Sequence, residues 1–372
     1  MNPYALFCPN IKCPATGRTE EGNIHPHNVQ EKRYRCDVCE KTFTTTKGTL
    51  FYRLKKEPAL VMCVIILLAY GCPLQAIVVA FNLDKRTVKR WWERAGVHCQ
   101  GLHEQRVQSQ KIDLQHVQAD EIKVKAWGRS VWMGLTMMVS TRLWVGGVVS
   151  PKRDKQMIAA LIAPLRQMAL CRPLLIAVDG LPHYIKAIRH AFRTPDHQGK
   201  TGRPPLVAWP RIYIGRVIKR KVAGELTIER QFLAGCRQQA RALIAQTQAQ
   251  PGVLNTAYIE RLNATFRQRL VWLTRRSRVL AHQTTTLTAG MYIVGCFYNF
   301  CDTHKSLRVR LAFGSHQHRW VQRTPALAAE LTDHIWTHQE LLSYRIPPPR
   351  WQPPKQRGRP SKELKMLIER WC

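Results

Sequence analysis

Three short runs between residues 116 and 149 constrain this chain more than any other stretch. In the first, 116–126, Val117, Ala119, Ile122, Val124 and Ala126 are spaced about two apart and bounded by polar residues, the period of a strand with one buried face. Residues 131–139 and 143–149 continue the strand character, each preceded by turn-forming residues at 128–130 and 140–142. The pattern predicts three hairpin-joined strands, an antiparallel start to an α/β sheet. Residues 154–168 then read as a helix, 173–178 as an apolar fourth strand and 181–192 as another helix, a β-α-β-α alternation. Asp120 sits in the first strand, and Asp179 closes the fourth directly before Gly180, where a βα loop holds a side chain above a sheet.

Further along, 211–222 and 225–233 read as two basic strands, 237–250 as a helix, and Asn255 as the cap of a helix carrying Glu260. An apolar-aromatic helix is expected over 287–300. Two strand carboxylates, Asp120 and Asp179, and one helix carboxylate, Glu260, can converge on a divalent metal. The two-residue period turns Glu121 to the opposite strand face and leaves it out of this set. Glu225 and Glu229 compete with Glu260 for the third place, but they fall on an edge strand.

Charge supplies the partner. The 372 residues carry 58 Lys and Arg against 24 Asp and Glu, a formal charge of +34 spread over nearly every segment. Such a field opposes compaction unless a polyanion neutralises it, and release of counterions from phosphate makes nucleic acid the leading candidate over an anionic membrane. Residues 58–83 hold no charge, but the Gly71-Cys-Pro73 break, Gln75 and Asn82 favour two shorter buried helices over a membrane span. The first residues, Met1-Asn-Pro-Tyr, lack the basic and apolar regions of a secretory signal. The expected location is cytoplasmic, with the nucleoid.

Four of the twelve cysteines are spaced as a metal site: Cys8-x4-Cys13 and Cys36-x2-Cys39. Soft thiolates in two pairs suit structural zinc, and a segment poor in large apolar groups needs such a staple to fold. His25 and His27 are alternative ligands or polar loop residues. Next comes a helix-turn-helix pattern. Residues 59–70 form one helix; a second starts at Pro73 with Ala76, Ile77, Val79 and Ala80 as its inner face; Asp84 caps a third that buries Val88, Trp91 or Trp92, and Ala95. Lys85, Arg86, Lys89 and Arg90 form the opposite, basic face, suited to a major groove. The polar, Gln-rich stretch 101–111 reads as a linker. The segments expected are a zinc-binding module at 1–50, a helix-turn-helix domain at 51–100, a linker at 101–112, a catalytic domain at 113–345 and a basic, Pro-rich tail at 346–372. In that tail Arg357-Gly-Arg-Pro360 resembles the core of an AT-hook, a minor-groove element.

Asp120 within Ala-Asp-Glu-Ile, Asp179-Gly180, and Asn255-Thr-Ala-Tyr-Ile-Glu-Arg-Leu-Asn263 with 267–270 resemble the DDE motifs of bacterial insertion-sequence transposases. The likeness is to single-chain relatives of the insertion sequence one transposase; it covers about residues 1–345 and includes Tyr298-Asn-Phe-Cys-Asp-Thr-His-Lys-Ser-Leu-Arg308 and Thr324-Pro-Ala326. Residues 311–323 look inserted between those last two blocks. The resemblance implies an RNase H-like catalytic core, a mixed sheet with flanking helices, acting on double-stranded DNA at terminal inverted repeats and at a target, as a homodimer or higher oligomer. It implies two Mg²⁺ ions, for which Mn²⁺ can substitute, with Asp120 bridging, Asp179 on one ion and Glu260 on the other. Water would free a 3′-OH, which would then attack target DNA. On the same helix Asn263 would hold the scissile strand or a metal-bound water and Arg267 the neighbouring phosphate, while His183 and His304, not needed as a base, are DNA-facing or structural. The rival from another class is a DNA-binding regulator whose sheet domain is catalytically dead; such a protein has no need of the three acids together.

Overall fold

A computed structural model of the chain describes residues 3–126, 128–197, 202–222, 224–248, 252–274, 280–281, 283–311, 320–354 and 358–372. The chain divides into two compact units, Met1–Leu60 with Leu342–Cys372, and Val61–Leu341.

In the smaller unit β1 (Ile24–Asn28), β2 (Arg33–Cys36) and β3 (Thr42–Thr44) form an antiparallel sheet in that order. Strands this short enclose little apolar volume. Leu6, Ile24, Tyr34 and Phe43 are completed by Trp371 from the far end of the chain, with Trp351 and Leu367 packed on the same core. Trp371 lies at the end of the C-terminal helix Lys362–Trp371, whose first turn is capped by Ser361 Oγ accepting from Leu364 N at 3.1 Å. The Arg345 guanidinium covers the rings of Phe7 and Phe43 at 4.5 and 5.5 Å, and burial lowers its pKa to about 10. The segment expected as a basic tail is therefore part of the N-terminal module's core. Its tryptophans decide this: a buried indole contributes more than solvated bases oppose. Arg357 of the AT-hook-like tetrapeptide lies outside the described residues.

The larger unit begins with helices at the expected places: α1 (Pro58–Ala69), α2 (Leu74–Ala80) and α3 (Lys85–His103). Asn82 turns the chain with a left-handed φ of 47°, and Asp84 caps α3 by accepting from Arg86 N and Thr87 N at 2.9 and 3.1 Å. Two expectations change here. In α2 only Ile77 is buried, and Ala76, Val79 and Ala80 face solvent, because a seven-residue helix offers one contact position to its neighbour. The supposed linker is ordered: α3 runs on to His103, a π-type turn follows over Glu104–Gln108, and Leu102, His103 and Val107 are buried. Polar composition hid three contact residues at helical spacing.

The sheet strands are β4 (His116–Ala126), β5 (Arg129–Met138), β6 (Trp144–Ser150) and β7 (Leu174–Val178), with α4 (Lys155–Met168) between β6 and β7. After α5 (Pro182–Ala191) come a small pair, β8 (Arg193–Pro195) and β9 (Leu206–Ala208), and a long hairpin, β10 (Ile212–Val222) and β11 (Glu225–Ala234). Three longer helices follow, α6 (Arg237–Thr247), α7 (Ala257–Arg269) and α8 (Thr284–Phe300), and short helical turns come after them. The main sheet has six strands in the order β11-β10-β7-β4-β5-β6. Strands β4, β5 and β6 run antiparallel as a meander, while β7 pairs parallel with both β4 and β10. Every residue of β7 is buried, as a central parallel strand covered on both faces requires.

The register assigns the faces. Gly134 of β5 lies under Leu161 and Met157 of α4, whereas Gly147 of β6 lies under Met291 of α8, so α4 and α8 cover opposite faces. The second half of α3 packs on α8 with Gly96 against Ala289, so close that a Cβ at Gly96 would sit 2.3 Å from the alanine methyl. The mixed α/β architecture is the one the periodicity predicts. No helix among the described residues is long and apolar enough to cross a membrane.

Candidate metal centres

The first centre lies in the smaller unit. Cys8, Cys13, Cys36 and Cys39 bring their sulfurs within 4.8 Å of one another. The Cys8–Cys39 and Cys13–Cys36 separations are 3.6 and 3.9 Å. A tetrahedron of thiolates about 2.3 Å from zinc has edges of about 3.8 Å, so the cluster already has the dimensions of a structural zinc site. The four-residue gap of the first pair is absorbed by a folded loop, with Cys13 N donating to Asn10 O and Gly17 N to Cys8 O, at 2.9 and 3.1 Å. His25 is no ligand; its Nε2 meets Asp37 Oδ2 at 2.8 Å in the open. The four thiols share one charge problem. The hydrogen bond to Cys36, then burial, pushes Cys8 far up; burial pushes Cys13 up to about 12; the hydrogen bond from Cys8 draws Cys36 down to about 5. Asn23 Nδ2 adds a donor to Cys36 Sγ at 3.4 Å.

The second centre stands in the larger unit where β7 ends beside the middle of β4. The β4–β7 ladder ends at the pair Ala119–Val178, and among the described residues β4 has no further ladder partner on that side until the single bridge between Ala126 and Ala281. Asp179 occupies the gap directly after β7, its Oδ1 accepting from Leu181 N at 3.0 Å. Asp120, the next residue of β4, and Glu121 both reach it: the three carboxylates offer oxygens within 4.8 Å of one another. The two-residue period separates Asp120 and Glu121 at their Cβ atoms, but where no strand intervenes the longer glutamate rejoins the aspartates. Glu121 is thus a site residue that strand parity excluded.

Asn263 also belongs to the site. Its Nδ2 donates to Asp120 Oδ2 at 2.8 Å, while its Oδ1 is buried without a hydrogen-bond partner, the residue being 1% exposed. What holds α7 in place is Gln118, on the same face of β4 two residues before Asp120. Gln118 Oε1 accepts from Tyr258 N and Ile259 N at 3.1 and 3.0 Å, and its Nε2 donates to Asn255 O at 2.7 Å. Asn255 contributes one bond, Oδ1 accepting from Ala257 N at 3.1 Å, but the cap position itself is Thr256. A strand side chain, invisible to a local capping rule, does most of the capping.

Glu260 stands apart. It is exposed one turn into α7, paired with Lys219 of β10 and accepting from Thr256 Oγ1 at 2.6 Å. Burial opposes its charge, but the hydrogen bonds from Lys219 and Thr256 prevail and lower its pKa. The structure therefore joins Asp120 and Asp179, adds Glu121, and leaves Glu260 on a lysine. Its rivals Glu225 and Glu229 are exposed on the edge strand β11.

A cation already serves the acidic trio. Arg153, just before α4, reaches Glu121 Oε2 and Asp179 Oδ2 from one Nη2 at 2.7 and 2.8 Å, and its guanidinium lies 5.0 Å from the Trp132 ring. Burial still dominates at Asp120, with Asp179, Glu121 and Glu260 adding repulsion: its pKa rises to about 7. Glu121 rises by burial too, and the buried Tyr184 phenol beside it is held well above its usual value by burial and the same carboxylates. A pocket of carboxylates and a buried amide oxygen is a hard-oxygen donor set, the kind that Mg²⁺ or Mn²⁺ takes.

Of the other predicted residues, Lys85, Arg86 and Arg90 are exposed on α3, whereas Lys89 is half-buried and donates to Gln283 Oε1 at 2.8 Å. Arg267 is half-buried on α7. His304 is no base, since burial lowers its pKa to about 4 and it packs on Tyr298; His183 is half-buried near the start of α5. No protein-family model matches the chain, and no curated protein matches it either.

Proposed function

We propose that this chain is a DNA transposase of a bacterial insertion sequence, binding the terminal inverted repeats of its element and catalysing metal-dependent cleavage and strand transfer. The observation that carries the reading is the convergence of Asp120, Glu121 and Asp179 where β7 ends beside the middle of β4, with the unpartnered Asn263 oxygen beside them. A chain of +34 has little reason to gather three acids unless they hold a cation against a polyanion. The meander β4–β6 followed by parallel β7 and β10 supports an RNase H-like core, and the tandem helices with Lys85, Arg86 and Arg90 exposed support a helix-turn-helix reader.

In this reading Asp120, Asp179 and Glu121 would hold one divalent ion, and Glu260, here paired with Lys219, would serve a second. The metal supplies activation of the attacking oxygen and stabilisation of the leaving one. The protein supplies the rest: Asn263 fixes the Asp120 carboxylate, Gln118 pins α7 above the site, and the basic surface neutralises phosphates. Zinc, in the cysteine cluster, has a purely structural part.

The test is a strand-transfer assay with Mg²⁺ on DNA bearing the terminal repeats that flank the coding sequence. Joined products from wild type and none from Asp120→Asn are expected; wild-type protein that binds the ends yet neither cleaves nor joins them overturns the reading. One observation favours the rival, a DNA-binding regulator: the Lys219–Glu260 pair, which keeps the third acid of the motif away from the other two. In that case Glu260→Gln leaves every DNA-dependent property unchanged.

A further inference from the structure

Arg153 is the feature that the proposed chemistry does not use. It spans the two carboxylates that a metal needs, and it does so from a perch that does not depend on them. Its ring contact with Trp132, which also receives Lys123 at 5.9 Å, holds the guanidinium at the rim of the site. Cation–π contact keeps a guanidinium in place without consuming its N–H donors. The carboxylate oxygens bonded to Arg153, Glu121 Oε2 and Asp179 Oδ2, belong to two of the three acids, so a divalent cation set between those acids competes with the guanidinium for the same pair of negative charges. A fork of N–H donors released beside a metal is the group best shaped to grip a phosphate.

We propose that Arg153 is a phosphate ligand held in reserve: its guanidinium occupies the acidic site until a divalent cation takes Glu121 and Asp179, and it then binds the DNA phosphodiester brought to that cation. The inference rests on the metal reading of the trio given above. It makes Arg153 a competitor of the metal in the free protein and a partner of it in the DNA complex. By linkage, metal and DNA must then strengthen each other's binding through this one side chain.

Two measurements on the full chain test it. The first is Mn²⁺ titration without DNA, read by electron paramagnetic resonance, for wild type, Arg153→Ala, Arg153→Lys and the exposed neighbour Lys152→Ala. Arg153→Ala is expected to bind Mn²⁺ about tenfold tighter than wild type, and Lys152→Ala within about twofold of it. Arg153→Lys keeps the charge and guards against a misfolded alanine variant; a single ammonium bridges two carboxylates less well, so its affinity also rises. Arginine variants no tighter than Lys152→Ala overturn the inference but leave the metal site standing. Mn²⁺ binding that Asp179→Asn and Glu121→Gln do not weaken overturns the metal site itself, and this proposal with it. The second measurement is affinity for duplex DNA with and without Ca²⁺. In wild type Ca²⁺ tightens binding by about tenfold, and in Arg153→Ala by less than about twofold. Equal enhancement in both proteins removes Arg153 from the phosphate.

Discussion

The two metal centres solve opposite electrostatic problems. In the cysteine cluster four thiols crowd together, and among the described side chains only Asn23 Nδ2 donates to them from outside the set. In the acidic trio Arg153 already bridges two carboxylates and Asn263 binds the third. In the proposed reading the first site is a staple whose zinc is part of folding, and the second folds with its own cation, Arg153, and exchanges it for a metal. The difference teaches how to read an acid cluster: what already neutralises it matters as much as the acids.

The largest expected effect breaks the comparison at the zinc end. Chelation, or Cys36→Ser, should unfold the smaller unit, because structural zinc contributes on the order of 10 kcal/mol. Hydrogen exchange should then show the β1–β3 amides losing protection while β4 and β7 keep theirs. Unchanged protection of β1–β3 after complete zinc removal would make the two centres alike.

Next in size is chemistry. Asp120→Asn should lower Mg²⁺-dependent cleavage by about a thousandfold while the protein stays folded and still binds the DNA ends. Glu260→Gln sharpens the point: an equal loss means that Glu260 leaves Lys219 to join the trio, and a loss below about tenfold means that Glu121 has its place.

A third effect tests whether the staple is metal alone. Trp371→Ala should cost the smaller unit about 3–5 kcal/mol, through cavity and lost indole contacts, and leave the larger unit's transition where it was. Zinc stoichiometry should stay near one, since no ligand is touched. A single cooperative shift of both units would contradict the division.

The smallest effect is a pH dependence. The Asp120 carboxyl binds its proton more tightly in the folded protein, about 7 against 3.8 unfolded. Metal-free stability should therefore fall between pH 4 and 7 and then level off, while Mn²⁺ affinity climbs, since the ion must displace that proton. From pH 6 to 8 the gain is about tenfold, and it vanishes in Asp120→Asn. Isothermal titration in buffers of different ionisation enthalpy counts the released proton. A flat profile would place the proton elsewhere.

Local pattern was enough for the strands of the main sheet, for most of the longer helices and for the four-cysteine cluster. Alternation over 116–149, the apolar run ending at Asp179 and the cap at Asp84 are written in neighbouring residues. So is cysteine pairing, because ligands with two to four residues between them sit on one turn or short loop. Tertiary structure decided what depends on where distant chain segments stop and meet. Glu121 enters the site because β7 ends at Val178 and leaves a gap, which strand parity cannot register. Gln118 caps a helix that begins nearly 140 residues later, and Trp371 fills the core beside Cys8. Arg153 is one of 58 bases until the fold sets it between two acids. Periodicity records which face a residue takes; the company it keeps there is set by long-range packing, where burial and charge pairing outweigh local preference.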